Sequence, residues 1–185
     1  MSVRRSSNYT PERIAHASPD ERLEAATDPH TPFEILHALA QLPGSHNARV
    51  RGAVVAHPSL SVETLVFMAD DEETSIRRTV AGHLNTPTDV VNRLAFDVDQ
   101  SVRTFALSNP NIDPGVLRVC VSDPTVEVAI AKNPETPGDV LVTLAGSARA
   151  EVRLLVAKHD NLNDDVFNIL VNDSDVKVIN ALHVP

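Results

Sequence analysis

Four histidines stand at one recurring place in this sequence: His57, His83, His159 and His183. Asn109 and Asn133 occupy it in two further copies. A histidine ladder could hold a metal or move protons, but spacing argues against shared ligation. Copies that stack as packed helices stand roughly 8–10 Å apart, whereas two nitrogens on one Zn²⁺ lie within about 4 Å of each other. Asparagine replaces histidine freely here, as it does where a side chain hydrogen-bonds the backbone of a turn before the next helix. We read the ladder as structural and expect no metal. His16, His30, His37 and His46 form no usable spacing.

A second stripe is basic: Arg22, Arg51, Arg77, Arg103, Glu127, Arg153 and Lys177. It could read phosphates or an acidic partner, and Arg51, Arg77, Arg103, Arg153 and Lys177 are the partner-binding candidates. Just upstream of its members lie Asp70, Asp71, Glu72 and Glu73, then Asp97 and Asp99, Asp123, and Asp173 with Asp175. An acidic turn beside a basic first helical turn predicts a ladder of partner charges within and between copies, and Glu127 interrupts the stripe midway. DDEETS (70–75) and DVDQS (97–101) lack the glycine and closing glutamate of a calcium loop; they read as solvated acids facing helix dipoles.

Cys120 is the only cysteine. One thiol cannot form an internal disulfide or an all-cysteine metal site, and its apolar place in the copy predicts a buried structural role. No G-x-S-x-G, phosphate-cradling glycine loop or H-E-x-x-H is present, and six glycines leave little material for such loops. A non-catalytic protein without a cofactor is expected. The formal charge of −9 disfavours a general nucleic-acid binder. Aromatic residues make up 3 %, too few for stacking platforms. No apolar run approaches the ~20 residues of a membrane span, and the start MSVRRSSNYTPE is not a secretory signal, so the cytoplasm is the expected setting.

What positions these residues is a repeat. VRGAVVAHP (50–58), IRRTVAGHL (76–84), VRTFALSNP (102–110) and VRLLVAKHD (152–160) are copies of one nine-residue block. The block begins at Glu21, Val50, Ile76, Val102, Val126, Val152 and Val176, at spacings of 29, 26, 26, 24, 26 and 24. Periods of 20–50 residues mark solenoids. Within the block, apolar residues at positions 1, 4, 5 and often 6 predict a short helix; a turn and a longer helix follow, with apolar pairs such as Leu36 and Leu39 or Leu141 and Leu144. Thr31-Pro32, Thr86-Pro87 and Thr136-Pro137 read as an N-cap followed by proline at the first helical position. Where Leu60, Ile112 or Leu162 replaces the threonine, the next residue, Ser61, Asp113 or Asn163, can cap instead. Neither helix can bury its stripe alone, so copies must stack, which predicts a rod or arc about 50–60 Å long.

The joint pattern V-R-x-x-V-A-x-[NH]-P-x-T-P-x-[ED]-V-L-x-x-L-A resembles the leucine-rich repeat variant family. VAIAKNPETPGDVLVTLA (128–145) follows it almost throughout, and residues 76–95 nearly as well. The resemblance implies an all-α, right-handed solenoid of about six and a half repeats of 24–29 residues, kin to HEAT-like repeats, with the short helix either α or 3₁₀. Some members carry an iron–sulfur cluster on an added cysteine-rich segment; Cys120 alone cannot supply one. The family transfers no catalytic residues. An enzyme would resemble the HEAT-like alkylpurine DNA glycosylases, which use aromatic residues and a basic face that this chain lacks.

Residues 1–20 read as an N-terminal cap, with helix starts at Thr10-Pro11-Glu12 and Ser18-Pro19-Asp20-Glu21. Residues 21–185 read as one solenoid with an incomplete last repeat, and QLPGSHNA (41–48) as an insertion. Val178, Ile179 and Leu182 would lack a later repeat to cover them, which predicts an edge for self-association or a fragment of a longer chain. The expected function is a protein-interaction module or scaffold. The alternative is a nucleic-acid-binding or DNA-processing repeat working through the arginines.

Overall fold

The computed structural model describes residues 9–182, and every element among them is helical. After α1 (Pro11–His16), the helices come in pairs: α2 (Pro19–Thr27) with α3 (Phe33–Ala40), α4 (Ala48–Val55) with α5 (Val62–Met68), and α6 (Thr74–Gly82) with α7 (Thr88–Leu94). The series continues with α8 (Gln100–Leu107) and α9 (Pro114–Cys120), α10 (Glu127–Lys132) and α11 (Gly138–Ala145), α12 (Ala150–Ala157) and α13 (Asp164–Leu170), then α14 (Val176–Ala181). The all-α helical-repeat class is as the sequence predicts.

The described residues divide into two compact units, up to Val90 and from Val91 on, the division falling within α7. In the first unit α2, α4 and α6 pack in succession, and α3 packs on α5; α1 lies against α3. In the second, α8, α10, α12 and α14 follow one another, and α11 packs on α13. Helices this short do not persist alone in water, so burial between copies supplies the stability, about 1.5–3 kcal/mol for each fully buried Val or Leu.

The expected contrast between a short and a longer helix is absent. Block helices run six to nine residues and their partners seven or eight. The block helices are α; among the described residues 3₁₀ geometry occurs at Ser45–Asn47, in the insertion. There Gly44 takes a positive φ of 85°, which favours glycine. In the copies that begin at Val50, Ile76, Val102, Val126 and Val152, block positions 1, 5 and 6 are buried, as Val50, Val54 and Val55 show; in the last copy Val176 is exposed and Val178 is buried instead. Position 4 is not consistently buried: Ala129 is inside, Leu155 half-buried and Phe105 exposed.

The threonines of the Thr-Pro pairs do more than the sequence suggests, and α3 and α11 have no side-chain cap. Thr31, Thr86 and Thr136 are buried, and each hydroxyl donates at 2.6 Å to a carbonyl six residues back: Ala25, Val80 and Ile130. Each threonine thus ties the second helix of a pair to the end of the first. The first turn of α3 and α11 is closed instead by the carbonyls of Pro32 and Pro137. The same place can therefore hold an apolar residue, and Leu60 and Ile112 are buried there. In those copies, and beside Leu162, the cap sits one residue on, as expected: Ser61 accepts from the Thr64 N–H, Asp113 from Gly115 and Asn163 from Val166. Thr10 caps α1, and Ser18 forms a capping box with Glu21.

Candidate functional site

Block position 8 is a hydrogen-bonded ladder. The His57 ring accepts the Ser59 N–H at Nδ1 (3.1 Å), and its Nε2 lies 2.8 Å from the Asp28 carbonyl, the same place one copy earlier. His159 repeats this with Asn161 N–H and the Asn133 carbonyl. Asn133 does the same with an amide: Oδ1 accepts from Glu135, and Nδ2 donates to the carbonyls of Leu107 and Asn109. The Nε2–H tautomer of histidine and the asparagine amide thus present the same acceptor and donor. His83 accepts the Asn85 N–H in the same way; His183 lies outside the described residues.

The basic stripe forms clips. Arg51, 3 % exposed, binds Asp71 through Nε (2.7 Å) and Nη2 (2.9 Å) and the carbonyls of Leu42 and Gly44 through Nη1. Arg153 holds Asp173, twenty residues on, through the same Nε–Nη2 edge at 2.6 and 3.0 Å, while Nη1 donates to the Ser147 carbonyl six residues back. Nη1 of Arg77 and of Arg103 repeats that backward bond, to the carbonyls of Asp71 and Asp97. In the copy that carries Glu127 the residue twenty on is Ser147, whose hydroxyl donates to the Glu127 carboxylate at 2.8 Å. The hydrogen bond from Arg153 holds the Asp173 carboxyl below its usual range. The predicted charge ladder is present, and guanidiniums offered as partner-binding groups are turned onto turns and neighbouring copies. Lys177 is exposed, and its backbone N–H is capped by Asp175.

The Arg103 clip differs. Its Nη2 reaches Asp123 only at 3.8 Å, and Asp123 Oδ1, which accepts the N–H two residues on as Asp71 and Asp173 do, also accepts the Thr125 hydroxyl. Beside it lies a hollow of about 180 Å³ lined by Ala95, Phe96, Leu107, Val119, Cys120 and Val126, with Arg103 and Asp123 at its polar part. At Cys120 its lining carries a smaller side chain than the other copies do. The place of Cys120 is filled by Leu39, Met68, Leu94, Leu144 and Leu170 in the other copies, all buried. Burial pushes the Cys120 thiol up, so it stays protonated. Phe96 and Val119 stand 58 % and 64 % exposed over the hollow. Sequence reading placed Cys120 in the core but not the hollow; the signal was a small residue where every other copy has a large one.

Elsewhere among the described residues no buried side-chain nitrogen or oxygen lacks a partner, and no three His, Cys, Asp or Glu side chains are placed to share a metal ion. No helix among them is long and apolar enough to cross a membrane.

The chain matches no protein-family model and no curated protein. Among solved structures it is similar to a leucine-rich repeat variant described as having a novel repetitive structural motif. The identity is 26 % over 97 % of this chain and 76 % of that one, with a TM-score of 0.62. The chain has the leucine-rich repeat variant fold.

The three C-terminal residues of the expected edge differ in burial. Val178 is fully buried, because α14 packs on α12; Ile179 and Leu182 are half-buried, and the large exposed side chain is Val176. The outward apolar place of the second helices recurs across the leucine-rich repeat variant copies, with Phe67, Val119 and Ile169 all exposed.

Proposed function

We propose that the protein is a non-catalytic interaction module that binds another protein through the apolar surface around α8 and α9. The observation that carries this reading is the hollow at Cys120, open beneath exposed Phe96 and Val119. Large apolar side chains grouped beside a pocket are a common form of protein-binding surface. A reducing compartment such as the cytoplasm suits a chain with a single thiol. The arginines favour this reading over nucleic acid, since Arg51 and Arg153 direct their guanidiniums onto Asp71 and Asp173.

The test is capture by the tagged full chain from its host lysate, with and without nuclease, beside a Val119→Glu variant. Val119 is exposed, so the variant should fold. A stoichiometric protein that survives nuclease and is lost with Val119→Glu is the expected result. Retention of nucleic acid, or of partners that vanish with nuclease, overturns the reading. Self-association through Ile179 and Leu182 is a separate proposal, which a monomer by light scattering at high micromolar concentration would reject.

A further inference from the structure

Two departures from the repeat coincide in the second unit. The side chain at Cys120 is smaller than its counterparts, and Arg103 meets Asp123 through one ion pair at 3.8 Å where Arg51 and Arg153 each grip an aspartate through both Nε and Nη2. Arg103 is nevertheless held in place, because Nη1 donates to the carbonyls of Asp97 and Val98 at 3.0 and 3.2 Å. The result is an apolar hollow whose lining includes a fixed guanidinium that is only loosely paired with Asp123.

We propose that this hollow receives the carboxy-terminal residue of a partner protein, an apolar residue of leucine or phenylalanine size. Its side chain takes the place of the larger side chain of other copies, and its terminal carboxylate closes the Nε–Nη2 edge of Arg103. Size supports the first half: an apolar cavity of about 150 Å³ admits benzene, and this one is about 180 Å³. Geometry supports the second, since that edge of arginine presents two parallel donors to a carboxylate. A chain end is the simplest protein group that carries an apolar side chain and a carboxylate on one carbon. Asp123 at the same rim accepts from Thr125 through Oδ1 and pairs with Arg103 through Oδ2 at 3.8 Å, so the incoming carboxylate has to displace that long contact against the repulsion of a neighbouring carboxylate. The net charge of −9 opposes it weakly, because charges beyond about 8 Å are screened at physiological salt.

This inference rests on the interaction reading but is tested without a lysate. The probes are acetyl-Ala-Ala-Phe with a free carboxylate and the same peptide as its carboxamide. Binding is read from the methyl NMR signals of Leu107, Val119 and Val126 in the full chain. The free acid should move these signals and bind about tenfold more tightly than the amide, the order expected of a charge-assisted hydrogen-bonded pair. Cys120→Leu should abolish both responses while the remaining signals stay in place. Arg103→Gln should reduce the acid to the level of the amide, and the acid–amide comparison in the unaltered chain does not depend on that variant folding. No methyl shifts, equal affinity for acid and amide, or undiminished binding to Cys120→Leu would each overturn the proposal. A lysate partner held equally by Cys120→Leu leaves the interaction reading standing and removes the hollow from it. Absence of any lysate partner overturns the interaction reading, whatever the peptides do.

Discussion

A histidine and an asparagine can exchange at block position 8 because the ladder asks for one acceptor and one donor, not for a ring. His57 meets Ser59 N–H with one nitrogen and the Asp28 carbonyl with the other; Asn133 meets the equivalent groups with its amide. His57→Asn should therefore stay within about 1 kcal/mol of the parent. His57→Leu, which offers neither group, should cost about 1–3 kcal/mol. Urea unfolding at unchanged slope separates the two. Cys120 poses the opposite case, a position where the present residue is smaller than its site. Cys120→Leu restores the side chain that four other copies bury, a fifth having Met68, and cavity filling of this kind commonly adds about 0.5–2 kcal/mol. A raised melting temperature is the expected outcome, and a lowered one would mean that the hollow cannot take a leucine without strain.

At the scale of elements, the arginine clips connect one helix pair to the next. Arg153 projects from α12, and Asp173 lies in the turn after α13, 5 % exposed. Asp173 also accepts the Asp175 N–H, so the clip sets the turn that leads into α14. Asp173→Ala leaves a largely buried guanidinium without its partner and should cost about 3 kcal/mol at neutral pH. The pH dependence has a definite sign. The Asp173 carboxyl is held low by Arg153, so its contribution is complete above the unfolded value of about 3.9 and is lost as pH falls through its lower folded value. The stability gap between the parent and Asp173→Asn should accordingly shrink below about pH 4, and acid titration of the two by circular dichroism checks this. Much of this level was legible in sequence. The spacing of the blocks gave the helix pairs, and Ser61, Asp113 and Asn163 announced their caps. The Thr31-Pro32 and Thr136-Pro137 caps misled because a threonine before proline suits an N-cap, whereas the fold buries both threonines against carbonyls of the preceding helix. Burial of that kind depends on the packing of the pair and has no signature in the residues of the turn alone.

For the whole molecule, repetition means that each helix pair finds its stabilising contacts in adjacent copies, and stability is then close to a sum of local and nearest-neighbour terms. The sequence shows this in the partner of each clip, always about one copy away: Arg51 with Asp71, Glu127 with Ser147, Arg153 with Asp173. For the hollow it shows only the small residue at Cys120; the volume appears when the copies are packed. A molecule built this way should not respond as one block to a local defect. Asp173→Ala should raise amide hydrogen exchange in α12, α13 and α14, whose N–H groups lie in the copies joined by the broken clip. Exchange in α2 and α4 should stay at parental rates, because the His57–Asp28 and Arg51–Asp71 contacts that hold them are intact. Native-state exchange resolved by residue reads both regions in one experiment. A uniform rise from α2 to α14 would show a single cooperative unit and contradict the nearest-neighbour account. A rise confined to the last copies would mean that each copy is stabilised chiefly by the clips and ladders it shares with its immediate neighbours.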